Sequence, residues 1–224
     1  MTIKIYGTSH VSQESIDVIE EAFGEEPDIV ALELDPPRLE ALMFNGHGRE
    51  GGDLFIRLLE KFQKYIGSKT GLMPGEEMLY AYNRAIQENL DVALVDQDIR
   101  VTVQRLKQVR RKEKVKAFGS VILGLLLPFG DEFDLSKIPS GDKVDLLVAE
   151  MSESFPEIYE VMMEERNVIM AESLMRLQED NPDSDIAVFL GAAHKNPVEE
   201  ILEAEGFEVR SEGRLEEKER KVES

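Results

Sequence analysis

The sequence predicts an α/β fold, a central and mainly parallel sheet flanked by helices. Short apolar runs recur along the chain at Ile3–Tyr6, Ile29–Leu34, Val92–Val95 and Ile186–Leu190. They are nearly continuous in apolar character rather than alternating, the pattern of strands covered on both faces. Helical periodicity separates them, and strands alternating with helices build a parallel sheet. Two of the strands also end alike, in Gly7-Thr-Ser-His10 and Gly191-Ala-Ala-His194. This places both G-x-x-H turns at the carboxyl edge of the sheet.

Each element has a local reason. Val11–Phe23 reads as a helix opened by Ser12, with Glu14, Glu20 and Glu21 on its polar side. Pro27-Asp28 interrupts before Ile29–Leu34, and Pro36-Pro37 ends that strand ahead of a helix from about Arg38 to Phe44. Asn45–Gly52 is loop-like in composition, Leu54–Ile66 has helical spacing, and Pro74 starts a helix that runs through Gln87. Ile99–Lys116 reads as one helix, Ser140 as the cap of Lys143–Ser152, and Pro156 as the first turn of a helix reaching Gln178. Asn181-Pro182 stops it, Val198–Glu205 is the last helix, and Phe207–Arg210 a last short strand. The expected organisation is one domain over residues 1–211, with a helical insertion at about 100–180 and a charged, disordered tail at 212–224.

Composition narrows the chemistry. The chain has 224 residues and 42% hydrophobic residues, enough for a sizeable core. With 26 Lys+Arg against 46 Asp+Glu its net charge is −20, which argues against nucleic acid as a partner. There is no cysteine, so disulfides, thiolate metal sites and cysteine nucleophiles are excluded. No signal-like amino terminus precedes the first strand, and the longest apolar stretch, Val121–Phe129, falls far short of a membrane span. The expectation is a soluble, cytoplasmic protein.

The three histidines are His10, His47 and His194, and two of them occupy matching turns almost a chain length apart. Beyond the carboxyl ends of parallel strands lies the crevice where open α/β sheets bind ligands. Glycine permits the sharp turn there. Glu33 lies within an apolar strand, where a carboxylate needs a cationic or metallic partner. Arg38 follows closely, and a structural Glu33–Arg38 pair is the plain reading. Glu77 stands near a helix start, and Asp96 and Asp98 follow the third strand, one of them as a helix cap. Glu165 and Arg166 lie mid-helix, where a solvated face is the ordinary explanation. Imidazole with carboxylate suits a divalent ion such as Mn, Co or Zn, which polarises a carbonyl and acidifies bound water. H-E-x-x-H, Walker A and G-x-S-x-G patterns are all absent.

Six ordered blocks carry a resemblance: Gly7-Thr-Ser-His10, Val30-Ala-Leu-Glu33-Leu-Asp-Pro-Pro-Arg38, Pro74-Gly-Glu-Glu77, Val95-Asp-Gln-Asp98-Ile-Arg100, Glu165-Arg166-Asn167 and Gly191-Ala-Ala-His194. From about Ile5 to Leu202 the chain resembles the TraB/PrgY family, related to the TIKI metalloproteases and more remotely to the erythromycin esterase and ChaN groups. The resemblance implies a metal-dependent, peptidase-like hydrolase, or in the PrgY branch suppression of a peptide pheromone. The family's paired histidines fall on His10 and His194, and its glutamate and following arginine on Glu33 and Arg38. The chain departs from the family's Gly-x-Gly-His-x-Pro-Gly ending: Ala193 precedes His194, and Lys195-Asn-Pro197 follows it. Many microbial relatives carry carboxyl-terminal membrane helices, and no such stretch occurs here.

The resulting expectation is specific. His10, His194 and Glu33 hold a divalent metal, with Glu33 either the third ligand or the general base. Arg38, Glu77, Asp98, Arg100 and Arg166 form the substrate-binding set. The substrate is a peptide or small protein. The alternatives are a module that binds peptides without cleaving them, and an esterase-like hydrolase. Seven cations between Arg105 and Lys116 face the single acid Glu113, and an apolar stretch follows to Phe129. Residues 105–129 are therefore expected to form a homodimer contact or a weak membrane-surface contact.

Overall fold

The structure is a computed structural model that describes residues 2–8, 13–44, 75–126 and 141–212. Among the described residues five strands form one sheet: β1 (Ile3–Thr8), β2 (Ile29–Leu32), β3 (Asp91–Leu94), β4 (Ile186–Gly191) and β5 (Val209–Glu212). Their order is β3-β2-β4-β1-β5 and every pairing is parallel. The helices are α1 (Gln13–Phe23), α2 (Pro36–Met43), α3 (Glu76–Gln87), α4 (Ile99–Gln108), α5 (Arg111–Leu126), α6 (Gly141–Ser154), α7 (Pro156–Tyr159), α8 (Glu165–Asp180) and α9 (Ala192–Ala204). A π-helical stretch, Glu160–Glu164, joins α7 to α8.

Alternation along the strands sorts side chains onto two faces. Tyr6, Val30, Leu32, Ala187 and Phe189 pack with Val18, Ile19, Ala22 and Phe23 of α1 and Met78, Ala81 and Ala85 of α3. Ile3, Ile5, Ile29, Ala31, Ile186, Val188 and Leu190 pack on the other face with Met170, Ala171 and Leu174 of α8 and Val198 and Leu202 of α9. All six residues of β4 are buried, as befits the central strand. The chain winds outward from β1 through α1 to β2 and on to β3. It then returns to β4 by way of α8 and crosses to β5 by way of α9. Right-handed crossovers put connections of opposite direction on opposite faces, which is the division seen. Strand β4 therefore lies between β1 and β2 while its own helix leaves toward the other face. The carboxyl edge around β4 is thus a topological switch point, the usual ligand crevice of such sheets.

Several boundaries differ from the sequence reading. Strand β2 stops at Leu32, so Glu33 lies just past the ladder's end, although its N–H still bonds Phe189 O at 3.1 Å. Pro36 and Pro37 open α2 rather than only ending β2, because proline suits the first helical turn and Asp35 caps it. The single helix expected over Ile99–Lys116 breaks at Val109 and Arg110. Val109 enters a small core with Leu106, Ala117, Ile158 and Val161, while the Arg110 N–H bonds Glu157 Oε2 at 2.6 Å. The helix expected from Pro156 is interrupted by the wider π turn. Helix α9 begins at Ala192, six residues before the expected start, because Pro197 within it removes only one N–H from the ladder. In the basic segment, Arg105 and Arg110 form ion pairs with Glu165 and Glu157, so these two cations fasten α4 and the α4–α5 break onto α8 and α7. The turn at His10, His47, the spans Asn45–Gly52 and Leu54–Ile66, Pro74, Ser140 and the tail beyond 212 lie outside the described residues. Among the described residues no helix is long and apolar enough to cross a membrane.

Candidate functional site

Three strand ends deliver the described residues of the site, beside the end of β1. Thr8, closing β1, pairs in register with Gly191 of β4, so these two strands end side by side at one edge. Glu33 follows β2 directly. After β3 the chain continues beside that extension, with Val95 N bonding Leu32 O at 3.1 Å and Asp96 N bonding Leu34 O at 3.2 Å. Asp96 is thereby brought next to Glu33 and Asp35. Gly191 caps α9 and places His194 in its first turn.

The first turn of α8 enters from the other face and contributes Arg166. Its guanidinium has five N–H groups, and all five are engaged within the protein. The Nε–H bonds Asp96 Oδ1 at 3.0 Å, and Nη2 bonds Asp96 Oδ2 at 2.7 Å and Glu33 Oε1 at 2.5 Å. Nη1 bonds Met162 O at 3.1 Å, in the π stretch, and lies 3.0 Å from His194 Nε2. The Asp96 pairing is the forked geometry that arginine alone provides. Burial by itself would lower the Arg166 pKa, but the charges of Glu33 and Asp96 outweigh it and hold the group above its usual value.

Because arginine only donates, His194 Nε2 must accept from it. A neutral imidazole then carries its proton on Nδ1, which lies 2.6 Å from Asn167 Oδ1 and donates to it. His194 Nε2 stands 3.5 Å from Glu33 Oε1, and Glu33 Oε2 accepts from Gly191 N at 2.6 Å. Glu33 and His194 are only 2% and 4% exposed. Arg38 reaches Asp96 Oδ2 from the rim at 2.5 Å, and its side chain is 29% exposed. Burial pushes the Asp35 carboxyl above its usual range, against the pull of the Arg38 N–H and guanidinium.

The expected residues separate accordingly. Glu33, His194, Arg38 and Arg166 come together, but the cation paired with Glu33 is Arg166 and not Arg38, whose partners are Asp96 and Asp35. Arg166 is buried rather than on a solvated face. Glu77 folds back on Gly75 N at 3.1 Å and closes the start of α3. Asp98 caps α4 and pairs with Arg100 at the surface, where that hydrogen-bonded pairing holds the Asp98 carboxyl down to about 2. His10 lies outside the described residues. Asp96 and Asn167 join the site without having been singled out for it. For Asp96 the signal was present, an acid just past an apolar strand as at Glu33, but helix capping explained it equally well.

A divalent ion implied by the family would need the Nε2 lone pair of His194 and an oxygen of Glu33. Their 3.5 Å separation matches two ligands of one tetrahedral ion, whose bonds are about 2.0–2.2 Å. However, Arg166 already bonds both atoms, and imidazole Nε2 has a single lone pair. Among the described residues no group of three or more His, Asp or Glu converges to hold a metal. The described donor set therefore does not fit an ion while Arg166 is in place.

An all-parallel α/β sheet with a buried acid–imidazole–guanidinium cluster at its switch point defines the class of protein. The sequence profile of the TraB/PrgY/gumN family matches residues 1–211, and the chain belongs to that family. An uncharacterized protein of Methanocaldococcus jannaschii is 35% identical over 207 residues, covering 86% of this chain and 51% of that relative. The chain thus spans about half the length of the curated relative it matches.

Proposed function

We propose that the cluster is the working centre of a peptidase-like hydrolase. The observation that carries this reading is the approach of Glu33 and His194, both buried, to 3.5 Å from just past the ends of two different strands. The Glu33 carboxylate is the base that would take a proton from an attacking water, as hydrolysis of a carbonyl requires, with the neutral His194 imidazole beside it. Arg166 fixes both groups. Arg38, at the rim and with donors beyond its bond to Asp96, is placed to meet a substrate carboxylate or a developing oxyanion.

The completeness of the Arg166 network favours one second reading, a module that captures peptides without cleaving them. Incubating the full chain with a mixed peptide library and a small ester panel, with and without Mn or Co, distinguishes the two. Cleavage that falls at least ~100-fold in Glu33→Gln and in His194→Ala is expected. Peptide binding by the wild type and both variants, with no hydrolysis by any, establishes the capture module instead. Ester turnover alone redirects the substrate class.

A further inference from the structure

The cluster has two buried carboxylates, an imidazole and one deeply buried cation, and the cation's position has a consequence of its own. We infer that Arg166 is the resident cation of this centre, standing where a divalent ion would otherwise bind, so that the native cluster takes no metal and becomes a metal site only when Arg166 is removed. The inference builds on the reading of this cluster as the working centre, but its test needs no substrate.

Three observations carry it. Arg166 Nη1 and Nη2 contact the same two atoms, His194 Nε2 and Glu33 Oε1, that an ion would bridge. The guanidinium does not yield those atoms by losing a proton, since arginine stays charged in proteins. It is also locked from behind, by the fork on Asp96 and by the Met162 carbonyl, so it cannot swing aside without leaving Asp96 buried and short of its main partner. Electrostatically the substitution is sound. A fixed positive charge beside Glu33 neutralises its carboxylate without an open coordination position.

The experiment is a Co²⁺ titration of the full chain after chelator treatment, read by visible ligand-field absorption and by bound metal per chain. The wild type is expected to retain no more cobalt than His194→Ala and to show no His194-dependent band. Arg166→Met keeps a flexible apolar stem but uncovers His194 and Glu33. It is expected to gain a stoichiometric cobalt site that is lost again in the Arg166→Met/His194→Ala double variant. A cobalt band in the wild type that disappears in His194→Ala overturns the inference, as does a folded Arg166→Met protein that gains no ion. Should Arg166→Met not fold, the comparison of wild type with His194→Ala decides by itself. Failure of the hydrolase reading looks different, namely no cleavage of any substrate whatever the cobalt result.

Discussion

Arg166 joins three segments that are far apart in sequence, and the protonation of His194 follows from it. With Nε2 facing a group that only donates, the imidazole is held as the Nδ1–H form against Asn167. Nitrogen-15 NMR of the full chain near neutral pH is expected to show His194 Nε2 as the unprotonated, pyridine-like nitrogen. An Nε2–H form would show that the contact with Arg166 does not hold in solution. Legibility at this scale was uneven. Glu33 stood out because an acid at the end of an apolar strand must have a reason. Its partner was hidden, because Arg166 stands in a helix rich in charged residues, where most cations simply face water. Asn167 gave no signal beyond its place next to Arg166, since a neutral amide is unremarkable in a helix until an imidazole is seen beside it.

Among the elements, strand ends and helix starts set the site, and local chemistry fixes both. Asp35 caps α2 and Asp98 caps α4, each accepting from a backbone N–H in the first turn. Asp98 allows a clean test, because asparagine caps helices about as well as aspartate. Replacing Asp98 with Asn isolates the contribution of its charge. Since pairing with Arg100 lowers the folded-state pKa from 3.8 to about 2, that contribution is fully present above about pH 4 and fades as pH falls through about 2. Denaturant unfolding at several pH values is expected to show the wild type ahead of the variant at pH 6, with the gap closing toward pH 2. A gap independent of pH would mean that the exposed pair contributes nothing through charge. The π-helical stretch belongs to this scale too. Nothing in its composition distinguishes it from an ordinary helix, yet it holds the carbonyl that receives Arg166, and π turns are enriched where function is.

For the whole molecule the decisive element is β4, which lies between β1 and β2 although it follows them both by most of the chain. Phe189 on this strand is fully buried, with its ring 5.5 Å from that of Tyr6 and 6.2 Å from that of Phe23. Phe189→Ala is expected to cost about 3–5 kcal/mol through lost burial and a cavity the parallel sheet cannot close. Chemical denaturation measures this directly, and a loss under about 1 kcal/mol would contradict a core centred on β4. The sequence by itself determined the class of fold and the apolar runs that become four of the five strands among the described residues. Each of those follows from periodicity and turn chemistry within a few residues. Only the tertiary structure decided that β4 enters between β1 and β2, that Asp96 and Asn167 belong to the site, and that Glu33 is neutralised by an arginine more than a hundred residues away. Strand order and charge pairing depend on which surfaces meet in space, and no local pattern records that.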